Sequence, residues 1–385
     1  QDSFYCDAAY DAFQADAFAQ AVWRPSTANT RLAHHSLLLG AAVRVQRYDD
    51  ASGATGRFNE GGELLDNQPD DRFVPGIFAQ DDWTISDRWR VLTGVRVDYQ
   101  ADYGPILSPR ASVKWTPSRA TTARLNVGTG FRVVNLFTED HAAYTGGRAT
   151  VILEDLRPER SISVASGVQQ IIYGLGAPIT LDIDAFWTRF SNKIEPGYDT
   201  PGEIRYANLD GSATTRGVAA QIQGVIADDV RYTLGTTLLD VFVEEGGNTR
   251  PLEFAPTVQG TATLTWEAPF ETVVDYTARL TGPMQLPDYA QSTREAYQTA
   301  TGNPLRGRSP LYTVHTIQAT RDVPIGRRLL QVYAAINNIF AYRQPSPLVG
   351  FYEGVPGFGS TFDTAYVYGP IEGRHFGLGI RLTLP

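Results

Sequence analysis

Trp89-Arg90-Val91-Leu92-Thr93-Gly94-Val95-Arg96-Val97-Asp98-Tyr99 is the stretch that decides the fold. Trp89, Val91, Thr93, Val95, Val97 and Tyr99 form one alternating set; Arg90, Leu92, Gly94, Arg96 and Asp98 form the other. Successive side chains of a strand point to opposite faces, so the segment reads as a strand with one apolar, aromatic-tipped face and one polar face. The pattern recurs along the chain. Ala111, Val113 and Trp115 oppose Arg110, Ser112 and Lys114, and Ala123, Leu125, Val127, Thr129 and Phe131 oppose Arg124, Asn126, Gly128, Gly130 and Arg132. Leu181, Ile183, Ala185 and Trp187 oppose Asp182, Asp184 and Thr188. Phe376, Leu378, Ile380, Leu382 and Leu384 oppose Gly377, Gly379, Arg381 and Thr383.

About fifteen such strands are expected, near 12–24, 35–48, 73–85, 88–101, 106–116, 121–133, 161–173, 178–192, 205–226, 230–244, 257–267, 272–283, 311–321, 327–338 and 375–384. At roughly 10 to 14 residues most exceed the five or six usual in globular sheets and suit a tilted strand crossing a bilayer. Short turns such as Ser86-Asp87, Pro117-Ser118-Arg119, Asp228-Asp229 and Pro269-Phe270 alternate with long polar connections at 49–72, 134–160, 245–256, 284–310 and 339–374. Trp23, Trp83, Trp115, Trp187, Trp266 and Tyr99 sit near strand ends, as an aromatic girdle requires. A soluble sandwich explains the alternation but not the strand length or the short–long rhythm. The expected fold is therefore all-β, an antiparallel transmembrane β-barrel.

Composition supports this by exclusion. The 385 residues carry 33 Lys and Arg against 42 Asp and Glu, a net charge of −9, which disfavours nucleic acid as a partner. A hydrophobic share of 42% with 19% charged residues is that of a folded chain. Cys6 is the one cysteine, so neither a disulfide framework nor a cysteine metal cluster is expected. The longest clearly apolar run, residues 37–43, falls far short of the ~20 residues of a membrane helix, whereas a strand barrel remains open. An odd strand count is informative as well. Single-chain bacterial barrels have an even number, so with first and last strands both descending, the expectation is the C-terminal part of a longer barrel.

Several stretches resemble the TonB-dependent outer-membrane receptors. Phe78-Ala79-Gln80-Asp81-Asp82-Trp83 is similar to that family's strand motif of Gln, acidic residues and Trp. Gly94-Val95-Arg96-Val97-Asp98-Tyr99 with Ser108-Pro109-Arg110 resembles its "G-x-R-x-D" and "S-P-R" pair. Gly128-Thr129-Gly130-Phe131-Arg132 resembles "G-x-G-F-R-A-P", although Val133-Val134 stands where Ala-Pro is usual. Leu156-Arg157-Pro158-Glu159-Arg160-Ser161 is similar to "L-K-P-E-x-S", Tyr206-Ala207-Asn208 with Thr215-Arg216-Gly217 to "Y-x-N … T-R-G", and Ile336-Asn337-Asn338-Ile339-Phe340 to the "x-N-L-F" signature. The terminal residue, Pro385, departs from the usual closing aromatic. The resemblance implies a barrel of about 22 strands closed by an N-terminal plug. About fifteen strands fit residues 1–385, leaving about seven, the plug and the TonB box upstream. It further implies uptake of a scarce nutrient, most often a ferric siderophore, with haem or cobalamin as alternatives. The partners would be that chelate, the TonB complex acting through the upstream region, and outer-membrane lipid.

Such a transporter makes no covalent bonds, and no catalytic motif stands out: no P-loop, no G-x-S-x-G, no H-E-x-x-H. No enzyme, cofactor or metal site is expected; a barrel lipase or protease, or an adhesin, are the rival classes. Acidic Asp182, Asp184, Asp240 and Asp275 are read as facing a hydrated lumen, where Arg90, Arg96, Arg110, Arg124 and Arg132 would pair with them or with the plug. Loop 134–160 is the ligand-site candidate, with Arg132, Glu139, His141, Tyr144 and Arg148 as its binding residues, because long loops in compact folds usually serve a function. His141 falls between the two boxes where haem-transporting relatives carry an axial histidine. Aromatic-rich 350–368 is read either as a stacking surface for an aromatic chelate or as packing over the mouth.

Overall fold

The computed structural model describes residues 13–28, 30–49, 70–133, 149–154, 156–174, 176–197, 203–326, 328–350 and 366–383. Fifteen strands follow one another in a single antiparallel sheet, each paired with its neighbour along the path. They are β1 (Phe13–Trp23), β2 (His35–Asp49), β3 (Asp70–Ser86), β4 (Trp89–Gln100), β5 (Gly104–Ser118) and β6 (Thr121–Arg132), then β8 (Glu159–Ile172) and β9 (Ile179–Ser191). The path continues through β12 (Gly211–Ile226), β13 (Val230–Glu245), β15 (Val258–Ala268), β16 (Thr272–Thr281), β17 (Tyr312–Ile325), β18 (Arg328–Asn337) and β19 (His375–Thr383). Fifteen long strands were expected, and fifteen form the path. β1 and β19 each pair with one strand only, so among the described residues the sheet is an open wall.

The register aligns the alternating sets. Arg90, Lys114, Arg124, Gly167 and Asp184 share one rung, and Val91, Val113, Leu125 and Ser166 the next. The first rung lies on a polar face that holds an open hollow; the second lies on a face where Ile77, Leu107, Leu125, Ile183, Leu238, Leu378 and Ile380 stay exposed. Among the described residues no second sheet covers those side chains, which is the opposite of a soluble sandwich and what a lipid-facing surface requires. Trp23, Trp83, Trp89, Trp115, Trp187 and Trp266 fall on this apolar face by register, with Trp89 and Trp115 stacked at 5.6 Å.

Three expectations are corrected. The single strand near 205–226 is two elements, β11 (Glu203–Asn208) and β12, because Leu209 is buried and its N–H turns to the Lys193 carbonyl at 2.7 Å. Asp240 faces outward: it opposes Arg216, itself opposite Trp187, and the two are ion-paired at 2.8 Å near the long-loop end. The long connections also carry structure of their own. β7 (Ala149–Ile152), β10 (Ile194–Gly197) and β11 form a small separate sheet in the order β10-β11-β7, and β14 (Asn248–Pro251) prolongs the β13 hairpin. Helix α1 (Gln291–Thr301) stands in the 284–310 connection and ends on Gly302, whose φ of 69° suits a residue without Cβ.

The larger buried apolar clusters lie in the long connections. Met284, Leu286, Tyr297, Leu305, Val349, Tyr366 and Tyr368 make one core beside α1. Ile194 and Tyr206 make a smaller one with Ile152 and Leu156. A one-sheet wall has little interior, so apolar burial concentrates where loops fold on one another or onto strand ends, as Leu209 does with Ala213 and Val243.

Candidate functional site

Arg132 ends β6 on the polar face, opposite Glu159 at the start of β8. Its Nε and Nη2 donate to Glu159 Oε2 at 2.8 and 2.7 Å. Glu159 is 5% exposed, and its second oxygen accepts the Ile194 N–H at 2.9 Å. The guanidinium therefore neutralises a carboxylate that also holds the small loop sheet. A buried carboxylate needs such partners, because leaving it bare costs more than the pairing returns. Arg132 remains half-exposed toward the mouth. Glu139, His141, Tyr144 and Arg148 lie outside the described residues.

Asn208 is the second post of this brace. Its Oδ1 accepts the Arg157 N–H at 2.7 Å, and its Nδ2 donates to the Arg157 and Asn192 carbonyls at 2.9 and 2.7 Å. Its own N–H reaches Glu154 Oε1 at 2.7 Å, and Tyr103 Oη donates to the Leu156 carbonyl at 2.5 Å. One amide side chain thus satisfies backbone groups from two connections, which in a loop core have no ladder partner of their own. Glu159 and Asn208 belong to the motifs quoted above, but pattern alone did not reveal that they meet at Ile194, whose N–H Glu159 accepts and which pairs with Asn208 across β10 and β11. Glu195, with Lys193 Nζ at 3.1 Å and Arg250 Nη2 at 2.5 Å, ties the same small sheet to β14.

Toward the short-turn end the polar face opens into a hollow of about 500 Å³, lined by Arg124, Asn126, Gln169, Asp182, Asp184 and Gln221 among others. Gln169 Nε2 donates to Asp182 Oδ1 at 2.9 Å. Asp184 lies over Gly167, where a Cβ would meet its Oδ1 at 2.1 Å, so the glycine makes room for the carboxylate. Most lumenal arginines are committed locally. Arg90 makes a two-point pair with Asp82 (2.6 and 2.7 Å), Arg96 with buried Asp98 (2.7 and 2.5 Å), and Arg110 donates to Gln80 at 2.5 Å. Arg124 makes no ion pair among the described residues.

The long-loop end of the wall carries the α1 cap. Gln344 fastens it: Nε2 donates to the Tyr366 carbonyl at 2.8 Å, while Oε1 accepts the N–H groups of Tyr368 and Gly369 at 2.7 and 2.9 Å. Tyr289 and Tyr297 meet Tyr366 edge-on, and Tyr366 meets Tyr368 the same way at 5.7 Å. Burial pushes the Tyr368 phenol up to about 12 and also raises Tyr342 and Tyr366. Tyr366 and Tyr368 are therefore core residues of the cap; Phe351, Tyr352, Phe358 and Phe362 lie outside the described residues. Asn338 holds the base of the same connection through the Tyr342 and Glu372 carbonyls at 2.8 and 3.1 Å, which accounts for the terminal Asn signature. Among the described residues no three His, Cys, Asp or Glu side chains converge as a metal site would require, and no helix is long and apolar enough to cross a membrane.

The family model described as "TonB dependent receptor-like, beta-barrel" matches residues 2–339. The iron-regulated outer membrane virulence protein of Vibrio cholerae serotype O1 is 31% identical over 119 residues, covering 30% of this chain and 18% of that protein. Among solved structures, the siderophore receptor PirA of Acinetobacter baumannii superposes with a TM-score of 0.68 at 13% identity, covering 97% of this chain and 55% of that one. A variant of the ferric enterobactin receptor PfeA of Pseudomonas aeruginosa gives 0.67 at 17%, covering 97% and 54%. The FrpB iron transporter of Neisseria meningitidis gives 0.65 at 14%, covering 96% and 55%. At these identities the likeness is one of fold, and this chain spans about half the length of the solved structures it matches.

Proposed function

Because this chain belongs to the TonB-dependent receptor β-barrel family, we propose that it forms much of the pore wall of a receptor that imports a ferric siderophore with energy delivered through TonB. Its place is the Gram-negative outer membrane. The observation that carries the reading is the open wall with one uncovered apolar face and one charged, hollowed face. Such a wall separates lipid from a hydrated passage and performs no covalent step. The iron link rests on the iron-regulated Vibrio relative and on iron and siderophore receptors among the fold neighbours. Free edges at β1 and β19, with coverage of about half of each neighbour, support about seven further strands and a plug completing the pore. In this reading the 134–160 loop contributes to the outer binding site, its two ends tied by the Arg132–Glu159 pair and by Asn208.

The test uses the full-length receptor. Deleting residues 139–150 should weaken binding of ferric catecholate or hydroxamate chelates at least tenfold while the barrel still assembles, because loop backbone adds little to the strand ladder. Unchanged affinity for every chelate tried, together with unchanged growth on them under iron limitation, would overturn the reading. His141→Ala discriminates further: altered haem absorption on binding would redirect the assignment to haem.

A further inference from the structure

Three arginines stand on the lipid-facing side of the wall near its long-loop end. Arg160 of β8 opposes Ser191 of β9 and Phe131 of β6. Arg189 of β9 opposes Ile162 and Thr214, and Arg216 of β12 opposes Trp187 and Asp240. Each lies one strand across and two residues along from the next, so they climb as diagonal neighbours about 7–8 Å apart. By alternation they share the face of Ile183, Val218 and Leu238, which continue the apolar band toward the short turns. Aromatic rings frame them. Phe131 flanks Arg160, Trp187 flanks Arg216, and the Arg216 guanidinium sits 5.2 Å from the Phe242 ring centroid.

Two carboxylates answer these three cations incompletely. Asp240 takes Arg216 at 2.8 Å. Glu244 accepts from Ser212 Oγ at 3.1 Å and stands 3.7 Å from Arg189, longer than a hydrogen bond. Arg160 is exposed and has no side-chain partner among the described residues. A free guanidinium at the margin of an apolar band suits neither hydrocarbon nor a purely aqueous rim, but it suits an interface carrying anionic headgroups. Guanidinium also binds phosphate with two parallel hydrogen bonds.

We propose that Arg160 and Arg189, with Arg216 beside them, form a docking site on the outer wall for the phosphate groups of the outer-leaflet glycolipid, lipid A. Its acyl chains would lie along the band of Ile183, Val218 and Leu238. The site is separate from the lumen, so it concerns anchorage in the membrane rather than the nutrient.

The full receptor, purified from outer membrane in mild detergent, is examined by native mass spectrometry and reloaded from vesicles of phosphatidylethanolamine containing either bisphosphorylated or dephosphorylated lipid A. With about fivefold per basic side chain near an anionic surface, Arg160→Gln with Arg189→Gln should retain bisphosphorylated lipid A about 25-fold less than the unaltered receptor. Dephosphorylated lipid A should show little difference between the two. Arg321→Gln, an outward arginine near the short-turn end of β17, should leave retention unchanged. Should the double variant fail to assemble, Arg160→Gln alone decides, because Arg160 makes no contact whose loss would unfold the wall; it should lose about fivefold. Equal retention by variant and unaltered receptor, or equal retention of both lipid A forms, overturns the proposal. Chelate binding measured on the same samples should not change, which separates this outcome from failure of the transport reading.

Discussion

Val127 and Asn126 are neighbours in the middle of β6, and the two faces of the wall make opposite demands on them. Val127 lies on the outward rung with Ala111 and Val164, 40% exposed to what the family places as hydrocarbon. Asn126 lies on the polar rung, accepts Ser112 Oγ at 2.6 Å, and lines the hollow with Asp182 and Asp184. Val127→Arg places a charge near mid-bilayer, at about 2–4 kcal/mol. Asn126→Arg forfeits one half-exposed hydrogen bond, about 0.5–1.5 kcal/mol, part of which the nearby carboxylates restore. The expected difference of about 2–3 kcal/mol corresponds to roughly 30- to 150-fold in the ratio of assembled to unassembled receptor. Urea titration of the full receptor in short-chain phosphatidylcholine vesicles, followed by heat-modifiable gel mobility, measures it. Equal midpoints for the two variants, or a lower one for Asn126→Arg, would refute the assignment of faces and with it the membrane reading of this strand.

Asn208→Ala leaves three backbone groups, the Arg157 N–H and the Arg157 and Asn192 carbonyls, with poorer satisfaction and should loosen the small loop sheet by about 2–3 kcal/mol, read as faster amide exchange in β7, β10 and β11 with the wall unchanged. Gly76→Ala would put a Cβ 2.2 Å from Asp98 Oδ1 and pull that buried carboxylate off Arg96, so the stability of the assembled barrel should fall by at least about 1 kcal/mol, whereas Gly104→Ala, with nothing within 4 Å but a φ of 71°, should cost only backbone strain. Tyr368 has a raised pKa, so its neutral form is favoured in the folded cap. Its contribution is complete below the ordinary tyrosine value near pH 10 and disappears as pH rises through about 12. Tyrosinate absorbance should accordingly lose its latest-titrating component in Tyr368→Phe, and an unchanged titration would place that phenol in solvent.

The wall was legible in the sequence because period two is imposed locally: each residue between lipid and water must match the face that its neighbours dictate, and fifteen segments do so. Its topology followed from the alternation of short and long connections. Arg132, Glu159 and Asn208 were visible as motif members, but their partnership spans separations of 27 and 51 residues and arises only when the loops fold back onto the rim. Asp240 was misread for a related reason. A single aspartate in an alternating strand has a parity, but its tolerance on the outer face depends on height along the strand and on the Arg216 opposite. The α1 cap has no repeating pattern to announce it, since its tyrosines are buried against connections distant in sequence and fastened by Gln344. Local alternation thus determines which way a strand faces, whereas loop cores, rim ion pairs and the arginine staircase on the outer wall depend on register between strands, which only the assembled sheet supplies.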